Sequence, residues 1–106
     1  MNPVHTESNS MHLRNKFSLM LFYRDDNRES QAMRIVINEA VQQFELQKII
    51  SIEEVEFDRE NELCLRYKIY GFPTLLVFVN QELVEKYYGQ IQKNDIEKIL
   101  HELIHN

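Results

Sequence analysis

The chain has one cysteine, no tryptophan, two glycines and two prolines in 106 residues. Each scarcity excludes something. A lone cysteine, Cys64, cannot close an internal disulfide, so the fold does not depend on an oxidising compartment. Basic residues are outnumbered, 12 Lys and Arg against 17 Asp and Glu, for a net charge of −5. No Lys/Arg cluster marks a phosphate-binding surface, so no nucleic-acid partner is expected. No apolar run approaches the ~18 residues of a membrane span, and the N-terminus shows no apolar leader core. We therefore expect no membrane partner and a cytoplasmic address. There are no repeats or low-complexity linkers.

What is present suits one soluble domain. The chain is 43% hydrophobic and 27% charged. A core of that size supports a fold of roughly 5–15 kcal/mol without cross-links. Residues 1–10 are polar, contain Pro3 and lack an apolar period, so they read as a disordered tail before a domain over 11–106. Met11 is an alternative start, and a short helical turn is expected over Ser10 to Lys16.

Phe17 to Tyr23 is a nearly continuous apolar run of strand length, as in a strand covered on both faces. Asp25-Asp26-Asn27 supplies capping residue types, and Ala32, Ile35, Val36, Glu39, Ala40 and Phe44 recur at helical spacing. These predict a helix from about Asn27 to Leu46. Ile49 to Phe57 reads as a second strand, and Arg59 to Lys68 as a short helix packing through Leu63, Leu65 and Tyr67. Leu75 to Val79 and Leu83 to Tyr88 read as a hairpin turning at Asn80-Gln81. Ile96, Ile99, Leu100, Leu103 and Ile104 give a closing helix one apolar stripe. The predicted fold is α/β. Its first two strands are parallel through a crossover helix, and the hairpin adds antiparallel strands.

That element order, with Tyr70-Gly71-Phe72-Pro73-Thr74-Leu75-Leu76, resembles the thioredoxin family over about Phe17 to Ile104. Gly71-Phe72-Pro73-Thr74 matches the family's cis-proline motif, Phe22-Tyr23 the aromatic pair closing the central strand, and Asn80 the hairpin asparagine. Both glycines fall on family glycine positions. The resemblance implies a three-layer sandwich around a mixed four-stranded sheet, with room for a further short N-terminal element. It also implies a cis bond at Pro73, placing Phe72 beside the start of the long helix.

The resemblance fails where the family's chemistry resides. The two redox cysteines correspond to Asn27 and Ser30, with Arg28 and Glu29 between them. A dithiol needs a thiolate at the helix N-terminus and a second thiol three residues on, and neither an amide nor a hydroxyl can form a mixed disulfide. Asp26 stands at the tryptophan position, Leu21 at the buried acid and Ile35 at the helix-kinking proline. We expect no catalytic residue and no cofactor. Asn27 and Ser30 read as an N-cap and first-turn hydroxyl. The alternative is an anion site formed with Arg24 and Arg28.

The expected function is a redox-inactive module binding a protein or extended peptide through the groove beside Pro73. Its residues would be Phe72, Pro73, Thr74, Tyr88 and Gly89, with Arg28 and Glu29 alongside. Two other readings stand beside it. One is monothiol or glutathione-linked chemistry at Cys64, against a plain packing role; the other is a homodimer formed through a sheet edge or helix face. Finally, His101-Glu102-Leu103-Ile104-His105 matches HExxH, a zinc pattern. Leu103 and Ile104 belong to the apolar stripe, which leaves both histidines outside without a third ligand. No metal is expected, with weak surface binding as the alternative.

Overall fold

The structure is a computed structural model that describes residues 15–105. The expected tail over residues 1–10 lies outside the described residues. So does most of the expected turn over Ser10 to Lys16, although Asn15 and Lys16 themselves form a bend rather than a helical turn. The elements are β1 (Phe17–Tyr23), α1 (Arg28–Gln43), β2 (Ile50–Glu56), α2 (Asn61–Tyr67), β3 (Thr74–Val79), β4 (Glu82–Tyr88) and α3 (Lys93–His105). One four-stranded sheet runs in the order β2-β1-β3-β4. β1 pairs in parallel with β2 and antiparallel with β3, and β3 and β4 form the antiparallel hairpin. This is the expected mixed-sheet α/β sandwich.

The apolar run of β1 serves two cores because alternate strand residues point to opposite faces. Phe17, Leu19 and Leu21 pack with Leu75 and Val77 against Met33, Ile37 and Val41 of α1 and Ile96, Ile99 and Leu100 of α3. Met20 and Phe22 pack with Val55, Leu76 and Phe78 against Leu63, Cys64 and Ile69 around α2. Phe22, Leu75 and Leu76 are fully excluded from solvent. At full burial each such side chain contributes about 1.5–3 kcal/mol of transfer free energy.

The phase of α1 differs from the expected one. Its buried face is Ser30, Met33, Ile37, Ala40 and Val41, whereas Ile35 is 57% exposed and Phe44, just past the helix, 46%. Apolar residues crowd positions 32 to 37 all round the helix, so spacing alone admits two stripes. The tertiary contacts of Ser30 and Met33 choose one. Leu65 is corrected likewise: it is 78% exposed, because the seven-residue α2 turns Leu63 and Cys64 inward instead.

Two turns manage without glycine. Asn80 and Gln81 both take positive φ, 51° and 71°, the geometry of a two-residue primed hairpin turn. Lys68 ends α2 in the left-handed region at φ 57°, and Ile69 N–H donates to Cys64 O at 2.7 Å. That closure buries Ile69 and turns the chain outward into Tyr70-Gly71-Phe72.

Urea unfolding tests the corrected phase of α1. Ile37→Ala is expected to lower stability by about 2–5 kcal/mol, and Ile35→Ala to change it by less than about 0.5 kcal/mol. Equal losses would restore the stripe through Ile35.

Candidate functional site

The site lies where the C-terminal end of β1, the start of α1 and the start of β3 meet. Phe22 is opposite Thr74 in the β1–β3 ladder, which fixes how the chain leaving β1 faces the chain entering β3. Beyond Tyr23 the chain turns through Arg24 to Asp26 and starts α1. Asn27 is the N-cap, with extended backbone, and its Oδ1 accepts the Ser30 N–H at 2.7 Å. Asn27 Nδ2 donates to Glu29 Oε1 at 3.1 Å. Ser30 is fully buried, and its Oγ accepts the Arg24 N–H at 3.1 Å. Both residues at the cysteine positions are therefore spent on closing the helix end. Arg28 and Glu29 between them are exposed.

Arg24 is exposed but engaged by carboxylates and an aromatic ring. Its Nε lies 2.9 Å from Asp26 Oδ1 and 3.3 Å from Asp58 Oδ2, and its guanidinium sits 5.5 Å from the Phe72 ring centroid. Phe57 meets the same ring edge-on at 5.1 Å. Phe72 is thus half-buried between an arginine and a phenyl ring. The sequence placed Arg24 at this helix end only as a candidate anion ligand; its contact with the Phe72 ring and its pairing with Asp26 and Asp58 were not expected.

The Phe72–Pro73 peptide is cis. Pro73 and Thr74 are buried, and Thr74 Oγ1 donates to Gly71 O at 2.9 Å. Their side chains are framework of the expected groove, and Phe72 is the part of that segment that reaches solvent. Gly89 N–H donates to Pro73 O at 2.8 Å with φ +80°, a conformation strained for any residue with a Cβ. Tyr88 pairs with Thr74 and is 60% exposed, and Lys86 Nζ lies 5.7 Å from its ring. Tyr70, 79% exposed, was not singled out from the sequence. Among the described residues, neither the N–H nor the C=O of Phe72 enters a backbone hydrogen bond.

Beside the site, Arg34 bonds Glu54 at 3.0 Å and stacks 4.3 Å from the Tyr23 ring. Burial pushes the Tyr23 phenol up, with Arg34 opposing and the carboxylates of Asp25, Glu56 and Glu54 adding to the rise. Cys64 is buried under α2, away from the helix end, and its thiol donates to Phe57 O at 3.7 Å. Burial raises its pKa, and Glu60 and Asp58 raise it further. A thiol so placed is held neutral, the opposite of what activates a cysteine nucleophile.

Comparisons with known proteins agree with this architecture. The family profile described as Thioredoxin matches residues 4–102. Protein disulfide isomerase-like 1-3 of Arabidopsis thaliana is 29% identical over 82 residues, 77% of this chain, although the match spans only 14% of that protein. A mutant thioredoxin from Halobacterium salinarum superposes with a TM-score of 0.83 at 22% identity, covering 95% of this chain and 86% of that one. Oxidized mitochondrial thioredoxin 3 from Saccharomyces cerevisiae gives 0.78 at 16% identity, covering 93% and 90%.

Asn27 caps the helix, so Asn27→Ala is expected to cost about 1 kcal/mol in thermal or urea unfolding. No loss would remove the capping role. For Cys64 the folded thiol pKa lies above its unfolded value, so its contribution is complete at neutral pH and is lost as pH rises into the alkaline range. A disulfide reagent such as Ellman's should modify the native protein at pH 8 many-fold more slowly than the urea-unfolded chain. Equal rates would mean an accessible, ionised thiol.

Proposed function

The chain belongs to the thioredoxin family, and from that premise we propose that it is a redox-inactive member whose activity is non-covalent binding of an extended protein segment. The observation carrying this reading is the state of the helix end. Where dithiol chemistry needs a thiolate and a resolving thiol, Asn27 and Ser30 satisfy backbone N–H groups, and the lone cysteine is buried elsewhere. What stays available is the Phe72 backbone, bordered by the exposed Tyr88 and Tyr70 rings. An unpaired N–H and C=O on one residue suit a ladder with an incoming strand, and the aromatic flanks supply apolar area. Buried Pro73 and Thr74 hold that edge in place through Gly89 and Gly71. The thiol-dependent alternative has no support in the setting of Cys64.

Two measurements test this. In dithiothreitol-driven insulin reduction, the protein and its Cys64→Ala variant should both show no turnover above reductant alone, beside an active thioredoxin. Turnover that requires Cys64 would overturn the redox-inactive reading. In a screen of immobilised extended peptides, binders should lose at least tenfold in affinity on Phe72→Asp, whose fold is checked by circular dichroism. Unchanged affinity would remove the groove from the function.

A further inference from the structure

The HExxH pattern at the end of α3 is not used by the groove, and the structure divides it. His101 and His105 are exposed and border one cavity of about 280 Å³, with Phe44, Glu97 and Ile104. Glu102 borders a different cavity, with Phe17, Tyr87 and Leu103. A glutamate turned away from the histidine pair cannot take a proton from water held between them, so the hydrolytic use of this pattern fails on geometry. Ligation by the pair itself does not.

The two imidazole rings lie 4.3 Å apart between centroids, tilted by 43°. Metal–nitrogen bonds of about 2.0–2.1 Å at angles of about 90–110° place two ligating nitrogens about 3.0–3.4 Å apart. Rings already this close on successive helical turns reach that spacing by side-chain rotation, with no backbone change. Among the described residues, no hydrogen bond or ion pair engages either imidazole. The nitrogens are therefore not committed to protein partners. Among the described residues, no three His, Cys, Asp or Glu side chains form a metal-holding group. Coordination here would be two protein nitrogens completed by water. Imidazole donors select zinc, copper or nickel over the oxygen-seeking calcium and magnesium.

We propose that His101 and His105 form a two-imidazole chelate for a divalent transition ion on the outer face of α3. A chelate across successive turns also braces the last turn of the helix, so occupancy stabilises the folded chain.

Zn²⁺ alone, titrated calorimetrically into the full chain carrying His5→Ala and His12→Ala, tests this without competition from the other two histidines. One ion per chain and a metal-dependent rise in melting temperature are expected. His101→Ala or His105→Ala should weaken binding at least tenfold and abolish the rise, with the far-ultraviolet circular dichroism unchanged. Absence of both heat and thermal shift up to millimolar Zn²⁺ would overturn the proposal. So would equal affinity in the His101→Ala protein, or loss of binding in a Cys64→Ala protein that keeps both histidines.

Discussion

Everything in this structure depends on β1 being buried on both faces. Its odd-numbered residues Phe17, Leu19 and Leu21 seat α1 and α3, and Met20 and Phe22 seat α2. A strand committed to two cores has little freedom of register. A one-residue slip would exchange the two sets and break the ladders with β2 and β3 together. The Phe22–Thr74 pairing follows, and with it the meeting of the α1 start with the segment around Pro73. The site is thus a geometric consequence of the core, and it persists with or without cysteines at the helix end.

What occupies that helix end is a different matter. The N-terminus of a helix presents free N–H groups and a positive dipole, which in a thiol enzyme stabilise a thiolate. Here an amide and a hydroxyl take up that capacity. Asn27 Oδ1 accepts from the Ser30 N–H, and Ser30 Oγ accepts from the Arg24 N–H, so both side chains at the cysteine positions are engaged with the backbone of the turn. Arg24 pairs with Asp26 and Asp58 and lies over the Phe72 ring. Surface ion pairs of this kind hold a side chain in place more than they add stability, at about 0–1 kcal/mol each.

Much of this was legible in the sequence. Strand-length apolar runs, the Asn80-Gln81 turn, the Gly71–Thr74 motif and the capping residues located the elements to within a few residues. The phase of α1 was not legible. Ala32, Met33, Ile35, Val36 and Ile37 leave no clear polar face, and only packing against β1 decides that Ile37 goes in and Ile35 out. Leu65 misled for a related reason, since seven residues are too few for a period to declare itself. The Arg24–Phe72 contact joins residues 48 positions apart, with Arg24 also paired to Asp26 and Asp58, and local pattern carries no trace of such an arrangement.

A family groove without its thiol faces an energetic constraint that narrows what it can hold. Two main-chain hydrogen bonds at Phe72 would contribute about 0.5–1.5 kcal/mol each, against an association cost of about 4–15 kcal/mol. Backbone pairing alone therefore leaves a partner unbound at ordinary concentrations, and a covalent trap is not available to make up the difference. Any partner held here must also bury apolar area, and two exposed aromatic residues lie close along the chain and the ladder: Tyr70, two residues before Phe72, and Tyr88, paired with Thr74. At about 25 cal/mol per Å², burying the exposed parts of two such rings offsets several kcal/mol of that cost. Specificity in this reading comes from the aromatic rim, and the cis-proline edge supplies only orientation.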